Sequence, residues 1–304
     1  MSSIRIIFLG TSSAIPTSTR GLSSVAVIRD GVVHLFDAGE GIQSSFIQNK
    51  IGLNKETHIF ITHMHGDHCI GILGLIQSMS LSSRTLPLHI YGPSGLRTFI
   101  ENSFTSLKFK PKFPIIIKNV KSGSILSKKD YFVKAQKGLH SVTNFAFTLE
   151  EYNRPGKFHL NKIKKLGVPE GKQWSNLQKG KSIIFKGKKI HSREVVDESR
   201  PGRKIGISGD TRPTNSLLQF FKNSDVLIFE STYSKIHQDL AIERFHSTSN
   251  EAALLAKKSK SHVLILTHFS ARYSSTDELL KNAKKIHPNT IAAKDNMKYT
   301  LPSK

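Results

Sequence analysis

The chain has 304 residues, 45 Lys and Arg against 22 Asp and Glu, a formal charge of +23 and one cysteine. With 38% hydrophobic and 8% aromatic residues it can bury the core of one large domain, or of one domain with an appendage, which excludes a disordered chain. Cys69 alone excludes a disulfide framework and a cysteine-rich zinc site, and apolar runs such as 115–117 and 263–266 fall far short of the ~20 residues that span a bilayer.

Residues 1–15 show no basic segment leading into an apolar stretch, so the expected location is the cytoplasm, away from membranes. Residues 4–9, 24–28 and 32–36 read as strands, separated by glycines and Asp30. A strand over 58–62 leads through a short loop to a helix over 69–79, whose Ile70, Leu73, Leu75 and Ile76 suit packing on a sheet. The same order repeats with a strand over 86–91 and a helix over 94–103, Ser94 serving as N-cap. Residues 132–136 and 144–149 read as an antiparallel pair with Gly138, Leu139 and His140 in the turn.

Over 151–181 the composition changes. Arg154, Lys157, Lys162, Lys164, Lys165, Lys172, Lys179 and Lys181 face only Glu151 and Glu170, and four glycines and two prolines interrupt the stretch. That reads as an inserted, protruding basic arm, with residues 1–150 and 182–304 forming the main domain. Strands over 204–208, 226–229 and 262–267 then alternate with helices over 216–221, 249–258 and 275–286, the order of an α/β fold. The net charge predicts salt-sensitive attraction to polyanions, with nucleic acid and anionic membrane surfaces as the usual candidates; a solvated Lys-rich surface is the bland alternative.

The segment Thr62-His63-Met64-His65-Gly66-Asp67-His68 places four potential metal ligands within six residues, after a strand and before a helix. Imidazoles two residues apart do not share a helix face, so His63 and His65 converge only on an extended or turning chain, and Gly66 relaxes the backbone where it turns. His63 and His65 can grip one cation while Asp67 and His68 address a second; a polar loop with chance histidines is the competing reading. So short a segment cannot fill two coordination shells. His140, Asp210 and His268 each follow a predicted strand and are the candidates to complete them, although each taken alone would more often be structural.

This pattern resembles the metallo-β-lactamase superfamily and, within it, the ribonuclease Z family of tRNA 3′-processing endoribonucleases. The resemblance extends over Phe8-Leu9-Gly10-Thr11, Phe36-Asp37-Ala38-Gly39-Glu40-Gly41, Ser208-Gly209-Asp210-Thr211-Arg212, His246-Ser247-Thr248 and Leu266-Thr267-His268-Phe269-Ser270-Ala271-Arg272-Tyr273. It implies a sandwich of two mixed sheets flanked by helices and two Zn²⁺ per subunit, with Mn²⁺ or another divalent ion as the alternative. One ion would be held by His63, His65 and His140, the other by Asp67, His68 and His268, with Asp210 bridging. It also implies Asp67 as acceptor of the water proton and His246, held by Glu230, as donor to the leaving oxygen. Asp37 would orient a ligand imidazole. Arg272 and the arm residues Arg154, Lys157, Lys162, Lys164, Lys165 and Lys172 would contact precursor tRNA, and the arm of one subunit would serve the other in a homodimer. Two other activities compete: a small-ester or thioester hydrolase of the same superfamily, and an RNA-binding protein with a structural metal site.

Overall fold

A computed structural model describes residues 3–303. The chain divides into two compact units, one running to Glu150 and resuming over Lys204–Ser303, the other being Glu151–Arg203. The larger unit holds two seven-stranded sheets. In the first, the spatial order is Lys298–Leu301, Ile4–Gly10, Ser24–Arg29, Val32–Phe36, Thr57–Phe60, Leu88–Gly92 and Ile115–Asn119. Its first three pairings are antiparallel and its last three parallel. The second runs Thr290–Ala292, Val263–Thr267, Val226–Glu230, Lys204–Ile207, Phe145–Glu151, Tyr131–Lys137 and Gly123–Ser127, parallel among its first four strands. Both sheets are therefore mixed, as expected.

Strand alternation builds three apolar layers from these sequences. Ile4, Ile6 and Phe8 face Phe147, Ile205 and Ile228 between the sheets, whereas Ile7 and Leu9 face outward against Phe46, Ile72 and Leu75 of the helices Ile42–Gln48 and Gly71–Leu81. On the other side, Leu227, Phe229, Leu264 and Leu266 pack on Leu217, Ala252 and Leu279 of the helices Asn215–Phe220, Ser249–Lys258 and Asp277–Lys284. Strands covered on both faces are apolar throughout, which is why 263–266 reads as a continuous hydrophobic run. Helix, sheet, sheet, helix is the resulting order.

Several local expectations differ from the structure. The helix over 69–79 is two elements, Gly66–Cys69 and Gly71–Leu81. Gly66 does not adopt a left-handed φ; it opens a right-handed helical turn, and the extended residue before it is His65, with ψ 146°. Gly71 is the glycine that the packing requires, because a Cβ there would lie 1.9 Å from the Gly39 carbonyl oxygen. Ser94 does not cap the next helix, which begins at Leu96 after a left-handed Gly95.

The second unit continues past residue 181 to Arg203. Its core joins Ile163 and Leu177 of two short helices to Ile183 and Ile190 of a hairpin, and to Val195 and Val196. Bridges between Arg154 and Arg200 and between Phe158 and Val196 pair the outgoing and returning chain. Glu151 receives Arg203 through Nε at 2.8 Å and Nη2 at 2.6 Å, both side chains 1% exposed. The unit is longer than the basic stretch 151–181 read from composition, because strand pairing carries no compositional signature.

Candidate metal centre

The site forms where strands of both sheets give way to loops. His63, His65, Asp67 and His68 follow Thr57–Phe60; Asp210 follows Lys204–Ile207 through the left-handed Gly209; Glu230 ends Val226–Glu230; His268 follows Val263–Thr267. The Thr62 carbonyl accepts from the Phe145 N–H at 3.0 Å, joining the histidine-rich loop to the second sheet. His268 and Asp37 hold left-handed φ values of 60° and 59°, a conformation uncommon outside glycine that Asp and His adopt more readily than most residues.

Seven side chains meet as two groups that share one carboxylate: His63, His65, His140 and Asp210, and Asp67, His68, Asp210 and His268. His63 Nε2 lies 3.0 Å from His65 Nδ1, which is 3.2 Å from His140 Nε2. His68 Nε2 and His268 Nε2 are 3.2 Å apart, and each is 3.2 Å from an Asp210 oxygen. Asp67 Oδ2 lies 3.4 Å from His68 Nε2 and 3.6 Å from His268 Nε2. Donor atoms around a tetrahedral zinc with bonds of ~2.0–2.1 Å stand about 3.3 Å from one another, so these separations suit a cation.

The outward nitrogens explain why the inward ones are free to ligate. His68 Nδ1 donates to Asp37 Oδ2 at 2.7 Å, and His140 Nδ1 to the Phe245 carbonyl at 3.0 Å. His63 Nδ1 donates to the Thr62 hydroxyl at 2.9 Å, which passes its own hydrogen to Asp37 at 2.9 Å. His268 Nδ1 donates to the Thr232 hydroxyl at 2.9 Å, which donates to Glu230 Oε2 at 2.7 Å. Each of these bonds favours the neutral tautomer with Nε2 turned inward, the arrangement that a bound metal needs; with no metal bound, the burial of His68 is outweighed by Asp210 and Asp37, which raise it well above an ordinary imidazole. Asp210 Oδ1 is buried with no hydrogen-bond donor. An orphaned carboxylate oxygen among imidazole lone pairs is an uncompensated charge that a divalent cation would satisfy, so the residues present fit the ions.

The carboxylates set the electrostatics of the cluster. Burial opposes charge on Asp210, yet His268 and His68 hold its carboxyl well below the usual range, and Asp67 is held low by the same two histidines. Burial and the neighbouring His68 push His63 well below an ordinary imidazole. Beside the cluster stands His246, its Nδ1 3.0 Å from Glu230 Oε1. Burial works against a charge there, but Glu230 holds the imidazole up at about 9. Glu230 is itself fixed by the Thr211 N–H at 2.7 Å and the Ser247 N–H at 3.0 Å. His246 thus carries a proton at neutral pH and leaves Nε2 unclaimed by Glu230.

The remaining candidates lie elsewhere. Arg272 is exposed and stacks over the Tyr233 ring at 5.1 Å; that ring is 6.1 Å from His246. Within the Glu151–Arg203 unit, Lys157, Lys162, Lys164, Lys165 and Lys172 are exposed, while Arg154 is half-buried and bonded to Glu151 at 2.7 Å. The orienting hydroxyls of Thr62 and Thr232 were missed by sequence reasoning. Position was their signal: each stands within two residues of a residue already singled out.

A family model described as "Anti-Pycsar protein Apyc1" matches residues 4–105. Among curated proteins, the chain is 46% identical over 298 residues to Ribonuclease Z of Nitrosopumilus maritimus, covering 98% of this chain and 100% of that one. It is 40% identical over 300 residues to Ribonuclease Z of Methanosarcina acetivorans, covering 98% of each. Among solved structures, the short form of human tRNase Z matches with a TM-score of 0.73 and 28% identity, over 98% of this chain and 100% of that one. The metallo-β-lactamase fold protein YhfI from Bacillus subtilis matches with a TM-score of 0.70 over 98% of this chain and 100% of that one; at 19% identity it speaks to the fold alone.

Proposed function

We infer, because this chain belongs to the ribonuclease Z family, that it is an endoribonuclease of tRNA 3′ processing that uses two zinc ions to remove the trailer of precursor tRNA and leave a 3′-hydroxyl. The observation that carries the reading is the pair of donor groups sharing Asp210. His63, His65 and His140 would hold one ion, Asp67, His68 and His268 the other, with Mn²⁺ as the alternative metal. When bound, such ions acidify water and neutralise charge on a phosphoryl group.

The chain's own side chains divide the proton traffic. Asp67, ionised and within the ligand cluster, is placed to accept the proton of the attacking water. His246, protonated and anchored by Glu230, gives its Nε2 proton to the departing 3′ oxygen of the tRNA. Thr232 keeps the two halves in register, since its hydroxyl accepts from His268 Nδ1 while donating to Glu230.

Substrate choice comes from the Glu151–Arg203 unit, where Lys157, Lys162, Lys164, Lys165 and Lys172 would meet phosphates without reading bases. Arg272 would hold a phosphate nearer the centre, and the working form would be a cytoplasmic homodimer in which the arm of one subunit serves its partner. Among the described residues no helix is long and apolar enough to cross a membrane. The test is incubation of a 3′-extended precursor tRNA with the protein, with and without a chelator. A chelator-sensitive cut near the discriminator base is expected. An intact RNA beside rapid hydrolysis of a small ester would favour the competing hydrolase activity instead.

A further inference from the structure

The reaction described above gives Arg212 no role, although it stands two residues from Asp210 and touches the turns that present two other site histidines. Its backbone N–H donates to the Leu139 carbonyl at 2.9 Å, next to His140. Its guanidinium reaches the opposite way. Nη1 donates to the His246 carbonyl at 2.6 Å and to Glu251 Oε2 at 2.9 Å, and Nη2 donates to Glu251 Oε1. Glu251 Oε2 also accepts from the Thr248 N–H at 2.9 Å and the Thr248 hydroxyl at 3.0 Å, closing the N-terminus of the helix Ser249–Lys258.

The peptide so clamped has reason to need it. Phe245, immediately before His246, adopts a left-handed φ of 57°, and its carbonyl takes the His140 Nδ1 hydrogen. Glu230 secures only the ring of His246; Arg212 and Glu251 secure the main chain on which that ring stands. A planar fork bonding a carboxylate and a carbonyl together fixes direction as well as distance, which a flexible ammonium cannot do.

We propose that Arg212, with Glu251, is a positioning residue for proton donation: it orients the His246 main chain so that Nε2 meets the leaving 3′ oxygen. The proposal rests on the reading above that His246 supplies this proton. In that step the water oxygen bonds to phosphorus, the bond from phosphorus to O3′ breaks, O3′ takes the Nε2 proton, and the carboxylate base takes the proton of the water.

The test compares substrates that do and do not need the proton. A 3′-extended precursor tRNA releases an alkoxide, whereas bis(p-nitrophenyl) phosphate releases a phenolate stable at neutral pH. Arg212→Met lowers kcat on the RNA by about 100-fold with KM nearly unchanged, and leaves the nitrophenyl ester within about threefold of the parent, with bound metal unaltered. Arg212→Lys, which restores charge without the fork, recovers only part of the loss. Equal losses on both substrates, or full RNA activity in Arg212→Met, overturn the proposal. Should Arg212→Met fail to fold, Glu251→Gln gives the same comparison with the side-chain shape kept. Parent protein that hydrolyses the nitrophenyl ester but leaves precursor tRNA intact overturns the functional reading itself, and the positioning role with it, before any variant is compared.

Discussion

Five histidines gather at the candidate metal centre with His246 beside them, and three others, His34, His58 and His89, stand side by side on three adjacent strands of the first sheet. The second group is nearly as close: ring centroids are 5.7 Å apart between His34 and His58 and 5.2 Å between His58 and His89, against 4.2 Å between His63 and His68 and 5.1 Å between His68 and His268. It continues an aromatic row, because Phe36, Phe60 and Tyr91 lie two residues further along the same strands. Yet the three do not form a ligand set. Parallel pairing holds the His34 and His58 rings stacked and tilts His89 by only 30° from His58, so the three nitrogen sets do not converge, and Glu56, bonded to His58 Nε2 at 3.1 Å, is the carboxylate at hand. At the centre, loops release the side chains from sheet geometry and bring Asp67 and Asp210 among them. Convergence and carboxylates distinguish a metal site from a set of packed imidazoles.

The largest effect should come from removing the shared carboxylate. Asp210→Ala takes a donor from both groups, so bound metal measured by elemental analysis falls by more than about 100-fold in affinity and RNA cleavage disappears with it. His58→Phe, although it removes a buried histidine of the same sheet, leaves metal content at the parent level. Retained metal in the first variant, or lost metal in the second, would erase the distinction between the two groups.

A smaller loss is expected one bond further out. Thr232→Val keeps shape but leaves His268 Nδ1 without its acceptor and removes a donor from Glu230. The imidazole is then free to turn or change tautomer, and competition with a chelator should report metal affinity about 10–100-fold lower. His268 itself is legible in the sequence, as a histidine after an apolar run; Thr232 is not, because a threonine in a loop has many uses and only the folded geometry shows which two groups its hydroxyl joins.

The same division governs how much of the molecule could be read in advance. Strands covered on both faces announce themselves as apolar runs, as 226–229 and 263–266 do, and the histidine-rich loop announces itself through ligand density. The short strands Ile115–Asn119 and Thr290–Ala292 do not, since a few residues give too little alternation to stand out from loop. Arg212 was visible within a motif, but its work depends on Glu251, which is distant in sequence. The His34, His58 and His89 row escaped altogether: each is one polar residue within an apolar strand, and only strand register lines them up.

That row makes a prediction about acid. Burial, followed by the neighbouring His58, lowers His34 to about 3, and burial lowers His58 to about 4. His34 Nδ1 donates to the Val27 carbonyl and Nε2 accepts from the Tyr131 hydroxyl, so the neutral ring is fully paired, with Arg29, Glu56 and Lys128 as the nearby charges. Both folded-state values lie below the 6.5 of an exposed imidazole, so the unfolded chain takes up protons first as pH falls. The contribution to stability is complete above pH 6.5 and declines below it, to about pH 4 for His58 and about pH 3 for His34, where about 1.4 kcal/mol per pH unit amounts to roughly 5 kcal/mol. Urea midpoints of metal-stripped protein at pH 7.5 and 4.5 should therefore differ less in His34→Gln, which keeps a donor and an acceptor but cannot titrate. An unchanged difference would mean that the row is protonated in the folded state.

The smallest expected effect belongs to the Glu151–Arg203 unit. It carries 14 of the 45 Lys and Arg residues and 5 of the 22 Asp and Glu, a denser excess of positive charge than in the rest of the chain. In the helix Leu160–Lys165, Ile163 is buried while Lys162, Lys164 and Lys165 are exposed, so the ammonium groups can change without disturbing the core. If they meet RNA phosphates, replacing all three by Gln raises KM for precursor tRNA several-fold near 150 mM salt. The slope of log affinity against log salt should also fall by about 2, since each phosphate contact contributes roughly 0.7–0.9. The turnover number should hold, because none of the three belongs to the donor groups around Asp210. A constant KM and slope would make these lysines a solvated face, with the work of holding tRNA falling to other residues.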